Sequence, residues 1–352
     1  MTPAEARALF PALAEVAYLN AGTFGPLAQP TVDAMRQELE RELASGRQGK
    51  AYLDRAAELR DAARATFAGV VAAEPAQVAL TSSTTEGCNV VLAGLDLSAD
   101  DEIVTTTDEH FGLLGPVHAS RARVLVVPPD ADAIVAAVTP RTKLLALSQV
   151  LWTTGRALPV RELRETTGVP VLVDGAQSVG AIPVAADGID FLTVSGQKWL
   201  CGPDSTGALV VADPERLRVA RPSYFSQASY EPSGVFVARP GAARFDTGWL
   251  APATLAGLRA AVELRPDWWH DHARAQAERL RTLLEPHVEV IPGDATLVSF
   301  RHENPSGLVT ALAEAGVVVR EIPGTGLVRA SCGWWTDDSD LDRLVAGVAA
   351  RR

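Results

Sequence analysis

The chain holds three lysines, Lys50, Lys143 and Lys198, and takes nearly all its other positive charge from arginine. Lys198 lies in "VSGQKWLCGP", between a β-branched run and a Gly-Pro turn. Partial desolvation there would lower its pKa and make it a usable amine nucleophile. Lys143 opens a strand in "TPRTKLLAL" and Lys50 lies in a polar stretch, neither with an acid at a comparable position. Asp174, in "VLVDGAQSVG", closes an apolar strand at its C-terminal end. Ligands bind at that edge of open α/β sheets, and a buried acid there needs a cation, a metal or donors. Ser82, Ser83, Thr84 and Thr85 put four hydroxyls where a strand gives way to a helix, a junction that attracts anions. His110, in "DEHFG", follows another strand and could stack on a ring. Taken singly, each feature has a plain explanation: N-capping by the hydroxyls, an Asx turn at Asp174, a loop histidine without a role. Together they supply a lysine for a Schiff base, an acid for a pyridine nitrogen and an anion site, the set that pyridoxal 5′-phosphate requires.

The elements that must position these groups read as alternating strands and helices. Residues 31–69 suggest two helices broken near "SGRQG". Then come strands in "QVALTSS", "DEIVTTT", "RVLVVPP", "KLLALSQV", "VPVLVDGA", "DFLTVSG" and "GALVVAD", with a helix over 84–95. Short apolar runs of this kind suit strands buried on both faces, hence an α/β layer with a mostly parallel sheet. From about residue 254 a long helical stretch, interrupted at Pro266, leads to strands in "VEVIP", "LVSFR", "GVVVREI" and "LVRASC". The expected organisation is a large domain over 16–253 and a smaller α+β domain over 254–352 that includes 1–15. A chain of 352 residues favours two domains.

Composition narrows the function classes. With 47% hydrophobic and 21% charged residues the chain reads as an ordinary globular protein, and a net charge of −11 argues against nucleic acid or anionic membrane as partner. The N-terminal stretch lacks a basic region followed by an apolar run, so no signal peptide is expected. Cys88, Cys201 and Cys332 form neither a disulfide framework nor a metal cluster, which suits a reducing cytoplasm.

The motifs "YLNAGTFGP", "TSSTTEGCN", "DEHFG", "VLVDGAQSVG", "SGQKWLCGP", "ARFDTG" and "LVRASC" resemble those of the class V aminotransferases, fold-type-I pyridoxal-phosphate enzymes that include the cysteine desulfurases. Within that family "SQVLWTTGRALPV" and "VVREIPGTGLVRASCGWW" resemble the L-cysteine/cystine C–S lyases and the isopenicillin-N-epimerase-like branch. The resemblance implies a homodimer with its site near the interface. It also implies roles: Lys198 carries the cofactor, Asp174 holds the ring nitrogen protonated, Gln177 donates to the phenolic oxygen and His110 stacks on the ring. Thr84, Thr85, Ser195 and Gln197 hold the phosphate. Arg329, with Arg320, takes the substrate carboxylate, for which the planar guanidinium is suited. Two positions depart from the pattern: Trp249 stands where relatives carry a threonine that reaches the neighbouring subunit's phosphate, and Gln149 where Asn is common. Thr247 or backbone groups are the expected substitutes for the missing threonine.

The third departure bears on the reaction. A desulfurase implies a nucleophilic cysteine shortly before the carboxylate-binding arginine, and Val317–Arg329 contains none. Cys332 is expected to face away from Arg329, Cys88 to lie in a helix and Cys201 to be packed near Lys198. The expected chemistry is therefore β-elimination from cysteine- or cystine-like amino acids, with Lys198 as base at Cα. Transamination, desulfuration, selenocysteine cleavage and epimerisation share its first step. A binding module that has lost chemistry would have had no need to keep Lys198, Asp174 and the anion site together.

Overall fold

The computed structural model describes residues 1–351. In the N-terminal part, α1 (Pro3–Ala8) and β1 (Ala17–Tyr18) precede the long helices α2 (Gln29–Ser45) and α3 (Gly49–Val70). Next come β2 (Val78–Thr81), α4 (Thr84–Gly94), β3 (Glu102–Thr106), α5 (Phe111–Ala119), β4 (Arg123–Val127), α6 (Ala131–Ala136) and β5 (Thr142–Ser148). They continue through α7 (Val160–Thr167), β6 (Val171–Asp174), β7 (Phe191–Ser195), β8 (Gly207–Val211), β9 (Gln227–Ser229) and β10 (Val237–Ala238). The C-terminal part holds α8 (Pro252–Glu263), α9 (Trp269–Leu284), β11 (Leu297–Arg301), α10 (Pro305–Glu314), β12 (Val317–Val318), β13 (Arg320–Ile322), β14 (Leu327–Ser331) and α11 (Asp338–Ala349).

Seven strands form the main sheet in the order β2-β8-β7-β6-β5-β3-β4. All its pairings are parallel except those of β8, which runs against both β2 and β7. The uninterrupted apolar runs follow from burial on both faces. Leu145, Leu147, Val171, Val173 and Val210 pack on one side with Phe67 of α3, Leu163 of α7 and Leu258 of α8. Leu144, Ala146, Leu172 and Leu209, between them in sequence, pack on the other side with Val91 of α4 and Leu113 of α5. This is the α/β fold with a mostly parallel sheet expected from the sequence.

A second layer is α+β. The antiparallel sheet β11-β14-β13 shares a core with α9, α10 and α11 through Phe300, Val328, Leu280, Leu312 and Leu344. Strand β1 pairs in parallel with β12, and its neighbour Leu19 enters this same core. Helix α8 instead sends Leu255 and Leu258 into the core of the large sheet. The long helical stretch is interrupted between Glu263 and Trp269, around Pro266, where proline ends the backbone ladder. "VEVIP" forms only a single bridge, Val290 to Phe300, where a strand was expected.

Candidate functional site

The parallel strands deliver their C-terminal ends to one edge of the sheet, which is how residues distant in sequence meet. Asp174 ends β6, opposite Thr193 of β7 and Ser148 of β5. Its carboxylate is buried (2% exposed), and Oδ1 accepts the Ala176 N–H at 2.9 Å. Burial pushes its pKa up, while the positive charge of Lys198 and the Ala176 bond pull it down. Lys198 lies three residues past the end of β7, half-buried. Burial lowers its ammonium pKa to about 8; Asp174 opposes that shift, and Arg329 and Arg320 add to it.

The hydroxyl cluster divides its work. Ser83 caps α4 by accepting the Glu86 N–H at 3.2 Å. Ser82 turns to Glu86, giving Oε2 both its N–H (2.7 Å) and its hydroxyl (2.8 Å). Thr84 and Thr85, the first residues of α4, are left at the helix N-terminus, where backbone N–H groups lack helical partners. Across from them Ser195 donates to Gln197 Oε1 at 2.8 Å. A Cβ at Gly112 would come within 2.5 Å of Thr85 Oγ1, so only glycine lets α5 approach so closely.

His110 is the N-cap of α5, its Nδ1 accepting the Gly112 N–H at 3.0 Å. The ring meets Trp152 edge-on at 5.0 Å. Burial, then the nearby Lys198 and arginine charges, depress its pKa to about 4, so the imidazole is neutral at physiological pH. Glu109 beside it is buried and holds the loop to β5: Oε1 accepts the Thr106 hydroxyl and Oε2 the Ser148 N–H, each at 2.9 Å. Gln177 donates to Gly22 O (2.8 Å) and accepts the Trp199 indole N–H (3.0 Å).

Arg329 of β14 reaches in from the smaller layer and is fully buried. Its Nη1 donates to Trp152 O at 2.7 Å, while Nε and Nη2 are buried without partners among the described residues. A Cβ at Gly22 would lie 2.7 Å from Nη2, so the bare backbone of the 20–25 loop makes room for the guanidinium. Burial, followed by the like charge of Arg320, lowers its pKa to about 9. Arg320, half-buried on β13, donates to Thr23 Oγ1 at 3.1 Å and lies 5.8 Å from the Trp152 ring centroid.

A profile of the class-V aminotransferases matches residues 17–344. The chain belongs to that family. It is 30% identical to cysteine desulfurase CsdA of Escherichia coli, over 98% of this chain and 96% of that one. It is also 30% identical to isopenicillin N epimerase of Streptomyces clavuligerus, over 82% and 83%. Among solved structures it resembles the cystine C–S lyase C-DES in complex with its product cysteine persulfide, with a TM-score of 0.91 and 27% identity over 97% and 99% of the two chains. This class-V chain thus has the fold-type-I architecture.

Its departures from the family pattern can now be placed. The Thr247 hydroxyl donates to Glu86 Oε2 at 2.7 Å. Its loop is anchored by the buried Asp246, which accepts from Arg60 (2.8 Å), Arg64 (2.9 Å) and the Leu80 N–H (2.9 Å). Trp249 is 46% exposed, beside Tyr52 and Phe225. Gln149 Oε1 is buried without a partner among the described residues. All three cysteines are buried. Burial raises the Cys88 and Cys201 thiols far above their usual range and pushes Cys332 up to about 12. Cys332 packs into the core of the smaller layer with Phe300 and Leu344.

Sequence reasoning missed Trp152, Glu86, Glu109 and the Gly22–Thr23 pair. Trp152 and the glycine loop lie within the quoted stretches "SQVLWTTGRALPV" and "YLNAGTFGP", but their roles emerge only from their contacts with Arg329, Arg320 and His110. Glu109 had a legible signal, a carboxylate directly before the singled-out histidine.

Proposed function

We propose that the protein is a pyridoxal-5′-phosphate enzyme that cleaves the Cβ–S bond of cysteine- or cystine-like amino acids by elimination. The residues fit the cofactor. Lys198 has a lowered pKa for Schiff-base attachment, Asp174 is a buried carboxylate suited to a protonated ring nitrogen, and Thr84 and Thr85 sit at a helix N-terminus suited to phosphate. Ser195 and Gln197 border that phosphate cradle, His110 flanks the ring, and the second amide N–H of Gln177 is available to a phenolic oxygen. Bound there, the cofactor supplies an electron sink for the pair released when the Cα–H bond breaks. Arg329 holds the substrate carboxylate through its unbonded Nε and Nη2. Lys198 would hold the cofactor and, with its amine free, would accept the Cα proton. The C–S electron pair leaves with sulfur, and water converts the remaining unsaturated amino acid to pyruvate and ammonia.

The observation that carries this reading is the state of the thiols. Each is buried with its pKa raised, and the thiolate is the attacking form. Incubation with cysteine and with cystine tests the reading: pyruvate and ammonia should form in step with released sulfur. Alanine as the main product would overturn it in favour of desulfuration.

The exposed Trp249, with Tyr52 and Phe225, supports self-association as a homodimer. Free buried thiols support a reducing, cytoplasmic setting. The packing of α8 and the pairing of β1 support shifting the expected division at residue 254 to about 264–268, with the first nineteen residues rather than the first fifteen in the smaller domain.

A further inference from the structure

Helix α5 buries Leu113, Pro116 and Val117, the face it turns to the large sheet. Phe111, its first residue, lies outside that face. It is 65% exposed and joins none of the apolar cores formed by the described residues. A helix start favours acidic or small polar side chains, so neither core packing nor helix formation accounts for a phenyl group here. What the ring does touch belongs to the site. Its centroid lies 5.4 Å from that of His110 and 5.8 Å from that of Trp152, and those two rings meet edge-on at 5.0 Å. These are the spacings of interacting aromatic pairs. The three rings run from the interior to the surface. Trp152 is buried and packs against Ile322 and Leu327 of the smaller layer, His110 is half-buried, and Phe111 stands in solvent. Trp152 also carries the carbonyl that accepts the Arg329 N–H. The row of rings therefore begins at the arginine assigned to the substrate carboxylate and ends at the surface beside His110.

We propose that Phe111 and Trp152 form a shelf for the group attached to the substrate's sulfur, and that the site prefers S-conjugates of cysteine in which that group is aromatic. The inference rests on the elimination reading and on Arg329 as the carboxylate site. A substrate held by its carboxylate at Arg329 and by its amine at Lys198 has only its side chain left to place. Along Trp152 that side chain meets aromatic carbon as far as Phe111, and covering the exposed phenyl removes apolar surface from water on both partners. Cysteine ends at its sulfur and has no group to lay on the outer ring.

The test uses the holoenzyme with S-benzylcysteine and S-methylcysteine, each followed by pyruvate release and by the change in cofactor absorbance on binding. The ratio of kcat/KM for the two compounds is compared between the wild type and Phe111→Ala, so that the difference between the leaving thiols cancels. The wild-type ratio should exceed that of Phe111→Ala by about 10-fold, the range of one aromatic contact with its buried area, and the ratio of dissociation constants should move with it. Phe111→Tyr keeps the ring and should retain most of the preference. An equal loss for both compounds in Phe111→Ala, or no change in either, overturns the proposal. So does an unchanged ratio accompanied by an altered oligomer in sedimentation, which would make Phe111 a contact between copies of the chain. If both compounds bind with the expected ratio and neither yields pyruvate, the elimination reading fails and the shelf stands.

Discussion

The Thr247 hydroxyl donates to the Glu86 carboxylate at 2.7 Å, tying the loop after Phe245 to the first turn of α4. The contact consumes the hydroxyl that was expected to replace a missing phosphate ligand. It leaves Thr247 bracing the first turn of α4.

Thr247→Val should therefore cost stability more than cofactor affinity. Loss of one hydrogen bond to a charged acceptor costs about 1.5–3 kcal/mol, which denaturant unfolding of the apo-protein would read. The cofactor dissociation constant, from absorbance titration, should move less than about tenfold, since a direct phosphate contact would be worth more than that.

Lys198 should be the residue that borohydride fixes to the cofactor, with Lys143 and Lys50 unlabelled after peptide mapping. Its lowered pKa, about 8, sets a pH dependence. Only the neutral amine attacks an aldehyde, so cofactor capture by the apo-protein should fall about tenfold per pH unit below that value and level off above it. A midpoint near the ordinary lysine value would contradict the burial seen here.

Asp174→Asn should separate activity from stability. Burial raises the pKa of this carboxyl in the folded chain, so its ionised form costs folding free energy at neutral pH, above the ordinary carboxyl pKa. The amide removes that cost, and the apo-protein should unfold at a higher temperature. Turnover should fall by roughly two to three orders of magnitude, because the charge proposed to face the ring nitrogen is gone.

Replacing all three thiols, Cys88→Ala, Cys201→Ala and Cys332→Ala, should preserve carbon–sulfur cleavage with pyruvate as product. Unfolding should come at lower temperature, since each residue is buried and leaves a small cavity. Cleavage abolished by Cys201→Ala alone would reveal a sulfur-carrying thiol.

Trp249→Glu should weaken self-association, as judged by sedimentation. The residue is 46% exposed within an aromatic cluster. An unchanged oligomer would place the contact elsewhere on the surface.

Much of this was legible before the fold was known. The strands announced themselves because burial on both faces forces continuous apolar runs, as at Leu144–Leu147. Asp174 and the hydroxyl cluster were legible because strand ends in such sheets converge on one edge. The reversed direction of β8 was not, since an apolar run of five residues carries no sign of its orientation. Nor was the opposition of Arg320 and Arg329, nine residues apart, because it depends on the register of the β13–β14 turn. The same holds for Gly22 and Thr23, whose partners lie about 300 positions away and are joined only by tertiary packing.

The pairing of Ala17 with Val317 has a consequence for the order in which the chain is made. At about 5–20 residues per second, β1 leaves the ribosome roughly 15–60 s before the strand it must join. During that interval its apolar neighbour Leu19 and the residues around Phe10 have no finished surface to bury against. The large sheet can assemble meanwhile from segments close in sequence, whereas the smaller layer waits for both chain ends. The loop that shapes the Arg329 pocket follows directly from β1, so the arginine wall of the site is completed last. A nascent chain truncated before residue 317 should hold the lysine and acid groups in place yet remain without the arginines proposed to take a carboxylate.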